Sequence, residues 1–542
     1  MLLDKKYLWI IIGVWALIFL PHLDLLYINI MEARNFITAR EMVNENNWLL
    51  TTLNLEPRYE KPPLPTWLTA ISGMILGFSN FALRLPAALV TLLLLIYFYK
   101  FSLVLKISEK QSFLGSLILA TSFYIIFMGR NGQWDIFTHA FMLLSIYYLW
   151  QLFSLQKNLW KSAFLGGIFF GCSILSKGPV SPYALLLPFL LAYGSVYKFR
   201  DMKQIWKPLL LYLVTGIVAG TWWFLYVRIA DPEAFIEITT REASRWTSYN
   251  VRPFYYYWSF FIQSGIWCIP AFVALLYPYL KNRVSDKKAY QFSLFWTLSA
   301  VILLSLIPEK KSRYLLPVLI PMALNTSFYV AYLFRRFKDL PLKEQWIVYF
   351  NHGIIAVLGI SFPVAAFFVL ELEDHWIWYI LTSVTLFGIG GATLYYLKKQ
   401  FYPIVFYLTI AFMSSIIIFG FPLSEALLDN PRFRTYAELR EKIQEKKLPL
   451  YLYGDPAPEL IWDYGSPIPV LSEYELDQLG NHFGILLEEK DTVILKELGP
   501  QYLIKSSERY DLNQVSPGSS GYKDRLVRWF YVLEVRSEGV TK

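Results

Sequence analysis

From Tyr7 to Phe421 the sequence repeats one pattern: long apolar runs divided by short polar breaks. A hydrocarbon core about 30 Å thick takes roughly 20 apolar residues of helix to cross, so a chain built this way has one way to bury itself, as a helical bundle in a bilayer. A transmembrane barrel would need alternating strands of about ten residues, which the sequence does not contain. Hydrophobic residues make up 56% of the 542, and mean hydropathy is +0.39, above the ordinary soluble range. Lys5 and Lys6 precede "YLWIIIGVWALIFL" with no small-residue cleavage site behind it, which reads as an uncleaved first helix. Cys172 and Cys268 both lie in apolar runs, against a disulfide framework or thiolate metal site. The net charge of +9 is assigned to loops at the membrane rather than to nucleic-acid binding.

Positive-inside bias sets the topology. The piece "TWLTAISGMILGFSN" is short for a span. If it lies in the interface, the basic clusters near Lys100, Lys157, Arg200, Lys281, Arg335 and Lys398 all fall inside. That parity gives thirteen spans, at 7–25, 83–104, 112–129, 136–155, 162–176, 180–197, 208–228, 254–280, 290–307, 314–333, 346–370, 376–397 and 401–421. Residues 1–422 are then the membrane domain, with outer loops at 26–82 and 229–253. Residues 423–542 are an outer domain in which "TYAELREKIQEKK" reads as a helix, and "LPLYLYG", "PIPVLS" and "RLVRWFYVLEV" as strands. The expected fold is an α-helical polytopic membrane protein with a small C-terminal α/β domain.

The outer loops gather charge where insertion preference would not place it. "RYEK" supplies Arg58, Glu60 and Lys61; "MEARNF" supplies Glu32 and Arg34; "GRNGQWD" supplies Arg130 and Asp135. Lys177 of "SKGP", Glu242 and Arg245 of "REASRW", and Lys310, Arg313 and Tyr314 of "PEKKSRY" complete the set. A few acids among many bases at membrane level suit transfer from a lipid-linked phosphate: cations hold the leaving phosphate and a carboxylate orients or deprotonates the acceptor. The aromatic run "FYYYW", Phe254 to Trp258, reads as an interfacial belt. A transporter of the polyprenyl lipid is the rival from another class. It would place ionisable groups near mid-span and break its helices there, whereas these charges cluster in loops.

Taken in order, "MEARNFITAREM", "EPRYEKPPLPTW", "GRNGQWDIF", "LSKGP", "EASRW" and "KKSRYLLPVLIP" resemble the bacterial protein-mannosyltransferase/aminoarabinose-transferase group of GT-C glycosyltransferases. The resemblance implies about 13 membrane helices and a periplasmic C-terminal domain. It also implies inverting transfer of a sugar from undecaprenyl phosphate to lipid A or another envelope acceptor at the outer face of the inner membrane. It places Glu32 and Asp135 as the catalytic carboxylates, with Met31 standing where the family has aspartate. Arg34, Arg58, Lys61, Lys177, Lys310, Arg313 and Tyr314 are expected to bind donor and acceptor anions, and Arg130 and Arg245 to complete the substrate-binding set by bracing the acids. In the aminoarabinose branch the Glu-Lys pair, here Glu60-Lys61, joins a metal site with a loop histidine, and Glu242 stands at that position. Two glutamates suit magnesium or calcium better than zinc, so a divalent cation is the only cofactor expectation. A protein O-mannosyltransferase of the same fold is the near alternative. The expected partners are the donor, the acceptor and membrane lipids, with the protein as a monomer and no nucleic acid.

Overall fold

The computed structural model describes residues 5–155, 158–199, 202–428, 430–471 and 479–536. Lys157 and Arg200, expected in inner loops, and Ser472, the end of an expected strand, lie outside them. Among the described residues ten helices are long and apolar enough to cross a membrane, and the bent pair Glu109–Ala120 and Phe123–Gly129 makes up to eleven. The other two expected spans fall on shorter helices, Lys5–Phe19 and Pro182–Val196. Helix Leu64–Leu76, with 13 residues, is about 20 Å long, less than the hydrocarbon core.

The chain divides into two compact units, Met1–Leu26 with Arg58–Leu423, and Tyr27–Pro57 with Ser424–Lys542. In the first, helix Leu316–Arg336 is buried from Leu316 through Leu333 and runs through the middle of the bundle. Helices Leu159–Lys177 and Met202–Ala230 meet along glycines: a Cβ added to Gly171 would lie 2.5 Å from the Ala219 Cβ, and one on Gly216 would strike Phe170. Gly167 and Gly171 lie on one helix and Gly216 and Gly220 on the other, two small-xxx-small pairs that let the backbones approach. Met202–Ala230 is followed by Pro232–Ser248, so most of the expected outer loop 229–253 is helix, started by Asp231 accepting from the Ala234 N–H.

The second unit corrects one expected boundary. Residues 27–57, expected as part of the membrane domain's loop, pack with the tail. The tail's sheet runs in spatial order Val470–Leu471, Leu450–Tyr453, His482–Leu487, Val527–Val535, Tyr502–Asp511, parallel across the first three strands and antiparallel across the rest. Helix Ile30–Asn44 buries Ile37 with Tyr436, Leu460, Leu486 and Phe530. Arg40 donates to the Ile461 carbonyl at 3.2 Å, and Asn54 pairs reciprocally with the Ile468 backbone, 2.8 Å each way. Glu41 accepts from Thr52 Oγ1 and from the N–H groups of Asn54 and Leu55, which turns the loop after the helix.

Candidate active site

The first unit's charged centre follows from a helical hairpin. Asp135 opens helix Asp135–Phe153 and Lys177 closes helix Leu159–Lys177. Two consecutive antiparallel helices of 19 residues must bring the start of one beside the end of the other. The helix dipoles favour this placement, an acid at an N-terminus and a base at a C-terminus. Lys177 Nζ donates to Asp135 Oδ1 at 2.5 Å, with the side chains 8% and 2% exposed. Asp135 Oδ2 is buried without a hydrogen bond among the described residues, as are Trp134 Nε1, Asn131 Oδ1 and Arg313 Nε. Gly178 ends the helix after Lys177 with φ at +70°, a conformation natural to glycine.

Two further segments bring cations to this pair. Arg313 acts electrostatically on Asp135, and Lys177 lies 5.4 Å from the Tyr314 ring centroid. Arg58 packs over the Trp134 ring at 5.0 Å, and Lys61 feels the charge of Lys177. The basic loop itself is braced against 249–253: Arg252 N donates to Pro308 O, Lys310 N donates to Asn250 O, and the Tyr257 hydroxyl bonds both backbone groups of Lys311. Of the aromatic run, Tyr257 is therefore structural and buried, while Tyr255 and Trp258 are each 63% exposed.

Several expected residues have other work. Lys310 is buried and its ammonium donates to the carbonyls of Arg252 (3.0 Å) and Ile307 (2.5 Å), so it holds the loop; its neighbour Lys311, part of the same basic loop but not among the expected site residues, acts on Lys177 and pairs with Glu309 at 2.7 Å. Arg130, expected to brace the acids, instead collects the carbonyls of Ile18, Pro21 and His22 at 2.7, 2.7 and 3.0 Å and lies over the Phe421 ring. Burial, reinforced by Arg84, pushes its guanidinium down to about 10, so it stays charged at neutral pH. Replacing Arg130 with alanine strands those carbonyls and should cost on the order of 3 kcal/mol, read as a lowered Tm in detergent. Arg245 pairs with Glu242 at 2.7 Å and is half exposed. Glu32 and Arg34 lie in the second unit, on helix Ile30–Asn44. There Glu32 Oε2 accepts from the Asn29 N–H and side-chain amide, while Asn29 Oδ1 accepts from the Met31 and Glu32 N–H groups. This is a capping box, legible in "NIME".

Glu60 and Glu242 do not form a metal site of ordinary make. Glu60 pairs with Arg241 at 3.2 Å and lies 3.9 Å from Arg58, and Glu242 pairs with Lys61 at 3.6 Å and with Arg245. Each carboxylate already faces cations, and among the described residues no three histidines, cysteines or acids gather for a metal. Burial works to raise the Glu60 pKa, but Arg58, Lys61 and Arg241 outweigh it and hold the carboxyl below its usual value. Lys61 is pushed down to about 8, by burial first, against the pull of Glu242 and with Lys177 and Arg58 adding.

Residues 60–223 match the family model for dolichyl-phosphate-mannose-protein mannosyltransferases. An uncharacterized protein of Aquifex aeolicus is 26% identical over 75% of this chain and 76% of its own length. An undecaprenyl phosphate-alpha-4-amino-4-deoxy-L-arabinose arabinosyl transferase of Proteus mirabilis is 26% identical over 66% of this chain, and the match spans 64% of that enzyme. Among solved structures, ArnT from Cupriavidus metallidurans bound to undecaprenyl phosphate superposes with a TM-score of 0.69 at 16% identity, covering 97% of both chains. That likeness establishes the fold.

Proposed function

We propose that this chain, a glycosyltransferase of the GT-C group that includes protein mannosyltransferases and aminoarabinose transferases, moves a sugar from a polyprenyl-phosphate donor to lipid A at the outer face of a bacterial inner membrane. The observation that carries this reading is the buried Asp135–Lys177 pair, with one carboxylate oxygen open and Arg313 in its field. In the reaction the bond between the anomeric carbon and the carrier phosphate breaks as an acceptor oxygen attacks from the opposite face. The leaving phosphate gains charge, which Lys61, Lys177 and Arg313 stabilise. A phosphate acceptor is already ionised and needs no base, so Asp135 then orients the sugar and acceptor. A hydroxyl acceptor would need it to take a proton. Arg58 and Tyr314 are assigned to binding, and an amino pentose of the arabinose type is the first donor to try, as the relatives' names indicate.

The test is transfer of labelled sugar in membranes, with lipid A, other lipids and protein extracted separately. Label in lipid A supports the reading, label in protein favours the mannosyltransferase alternative, and no transfer from any polyprenyl-phosphate sugar overturns it in favour of a lipid transporter. The pH dependence follows from Lys61, whose proton is held only below about pH 8. Donor kcat/KM should fall as pH rises through about 8, and Lys61→Arg should move that fall to higher pH.

A further inference from the structure

Three consecutive side chains of "RYEK" grip the outer helix Pro232–Ser248 at its start and at its middle. The Tyr59 hydroxyl donates to Asp231 Oδ2 at 2.7 Å, just before the helix begins. Arg241, ten residues along, donates to Glu60 Oε1 at 3.2 Å, and Glu242 meets Lys61 at 3.6 Å. The two ionic contacts run in opposite senses: the "RYEK" segment offers an acid then a base, and the helix offers a base then an acid. Such an arrangement rejects a register shift, because moving the helix by one residue would set like charges together. The "RYEK" side is firm. Tyr59 is buried, and Glu60 is also steadied by Arg58 at 3.9 Å, itself packed on Trp134 beside Asp135.

We propose that this alternating ion-pair clasp, rather than a bridging cation, holds the outer helix over the charged centre, with Arg241 as the positioning residue that acts through Glu60. The inference rests on the glycosyltransferase reading only for its effect on catalysis; the clasp itself is a statement about the fold. While the clasp is closed Glu242 neutralises Lys61, so an anionic headgroup reaching Lys61 must compete with Glu242. Arg241 therefore bears on donor capture rather than on the chemical step.

The experiment compares amide hydrogen exchange across 232–248 in purified full-length wild type, Arg241→Glu and the swapped double variant Glu60→Arg/Arg241→Glu, each with and without EDTA. Donor KM and kcat are measured in parallel. Expected are protection in the wild type that EDTA leaves unchanged, at least a tenfold loss of protection in Arg241→Glu, and recovery to within about threefold in the swap. Donor KM should fall in Arg241→Glu, because Lys61 is released from Glu242, with kcat nearly unchanged. Loss of protection on EDTA treatment, or failure of the swap to restore it while Arg241→Glu alone loses it, would overturn the clasp. Unaltered protection in Arg241→Glu would overturn it too. If protection follows the expected pattern but no polyprenyl-phosphate sugar is used, the clasp stands and the transferase reading falls.

Discussion

Asp135→Asn is expected to lower sugar transfer by about a thousandfold or more, the scale seen when a preorganised charge at a reacting centre is removed. The change is nearly isosteric, so the helix start survives and the loss is of charge. The same substitution leaves Lys177, 8% exposed, as a buried cation without its counter-ion. Breaking such a pair from one side costs about 3–5 kcal/mol, well above the value of a surface ion pair. Instability alone could then mimic a catalytic effect. The double variant Asp135→Asn/Lys177→Met separates the two: it should regain most of the lost Tm while transfer stays absent. Recovery of transfer in the double variant would show that the pair serves only the fold. Label counting and thermal melting on the same membrane preparations read both outcomes.

Gly171→Leu should yield almost no folded protein. Its added Cβ would sit 2.5 Å from the Ala219 Cβ and 3.0 Å from both the Ala219 carbonyl carbon and the Gly220 nitrogen, two of them backbone atoms that cannot rotate away. Helices Leu159–Lys177 and Met202–Ala230 would have to part, and in lipid no water-driven term pulls them back together. Because Lys177 ends the first of these helices, the separation would also displace the base beside Asp135. Gly353, Gly388 and Gly391 provide the control. A Cβ there meets nothing within 4 Å, so alanine at these sites should be neutral or stabilise by up to about 1 kcal/mol through helix propensity. Yield of monodisperse protein in detergent and its Tm measure both. Equal yields for Gly171→Leu and Gly353→Ala would refute the close-contact account.

The positions of the spans were legible because apolar length and basic loops report directly on the bilayer, and the hairpin geometry then fixed Asp135 beside Lys177. What stayed hidden depends on partners distant in sequence. Nothing near Lys310 says that its ammonium will turn back to the Ile307 carbonyl, or that Lys311 will face Lys177 instead. Arg130 reads as an active-site base until the end of helix Lys5–Phe19, more than a hundred residues earlier, supplies carbonyls for it. The tail strands His482–Leu487 and Tyr502–Asp511 are hard to read: the first is short and apolar without alternation after His482, and the second is interrupted by charge on its open face. Other signals were present and unread. "LGGIFFG" with "TGIVAG" carries the small-residue spacing of the helix contact, and "NIME" carries the capping box. The alternation of "RYEK" had meaning only once "REA" of the outer helix was set against it.

The sharing of one core between residues 27–57 and the tail has a consequence for the order of events during synthesis. Helix Ile30–Asn44 leaves the ribosome early, yet Tyr436, Leu486 and Phe530, which bury its Ile37, are made last. About 370 residues separate the two pieces, and at roughly 5–20 residues per second the first waits on the order of 20–70 s for the second. During that interval the early segment is a nascent fragment exposed to proteases and chaperones. Ribosome-stalled chains ending before Ser424 should therefore be cut readily within 27–57, and released full-length chains should resist.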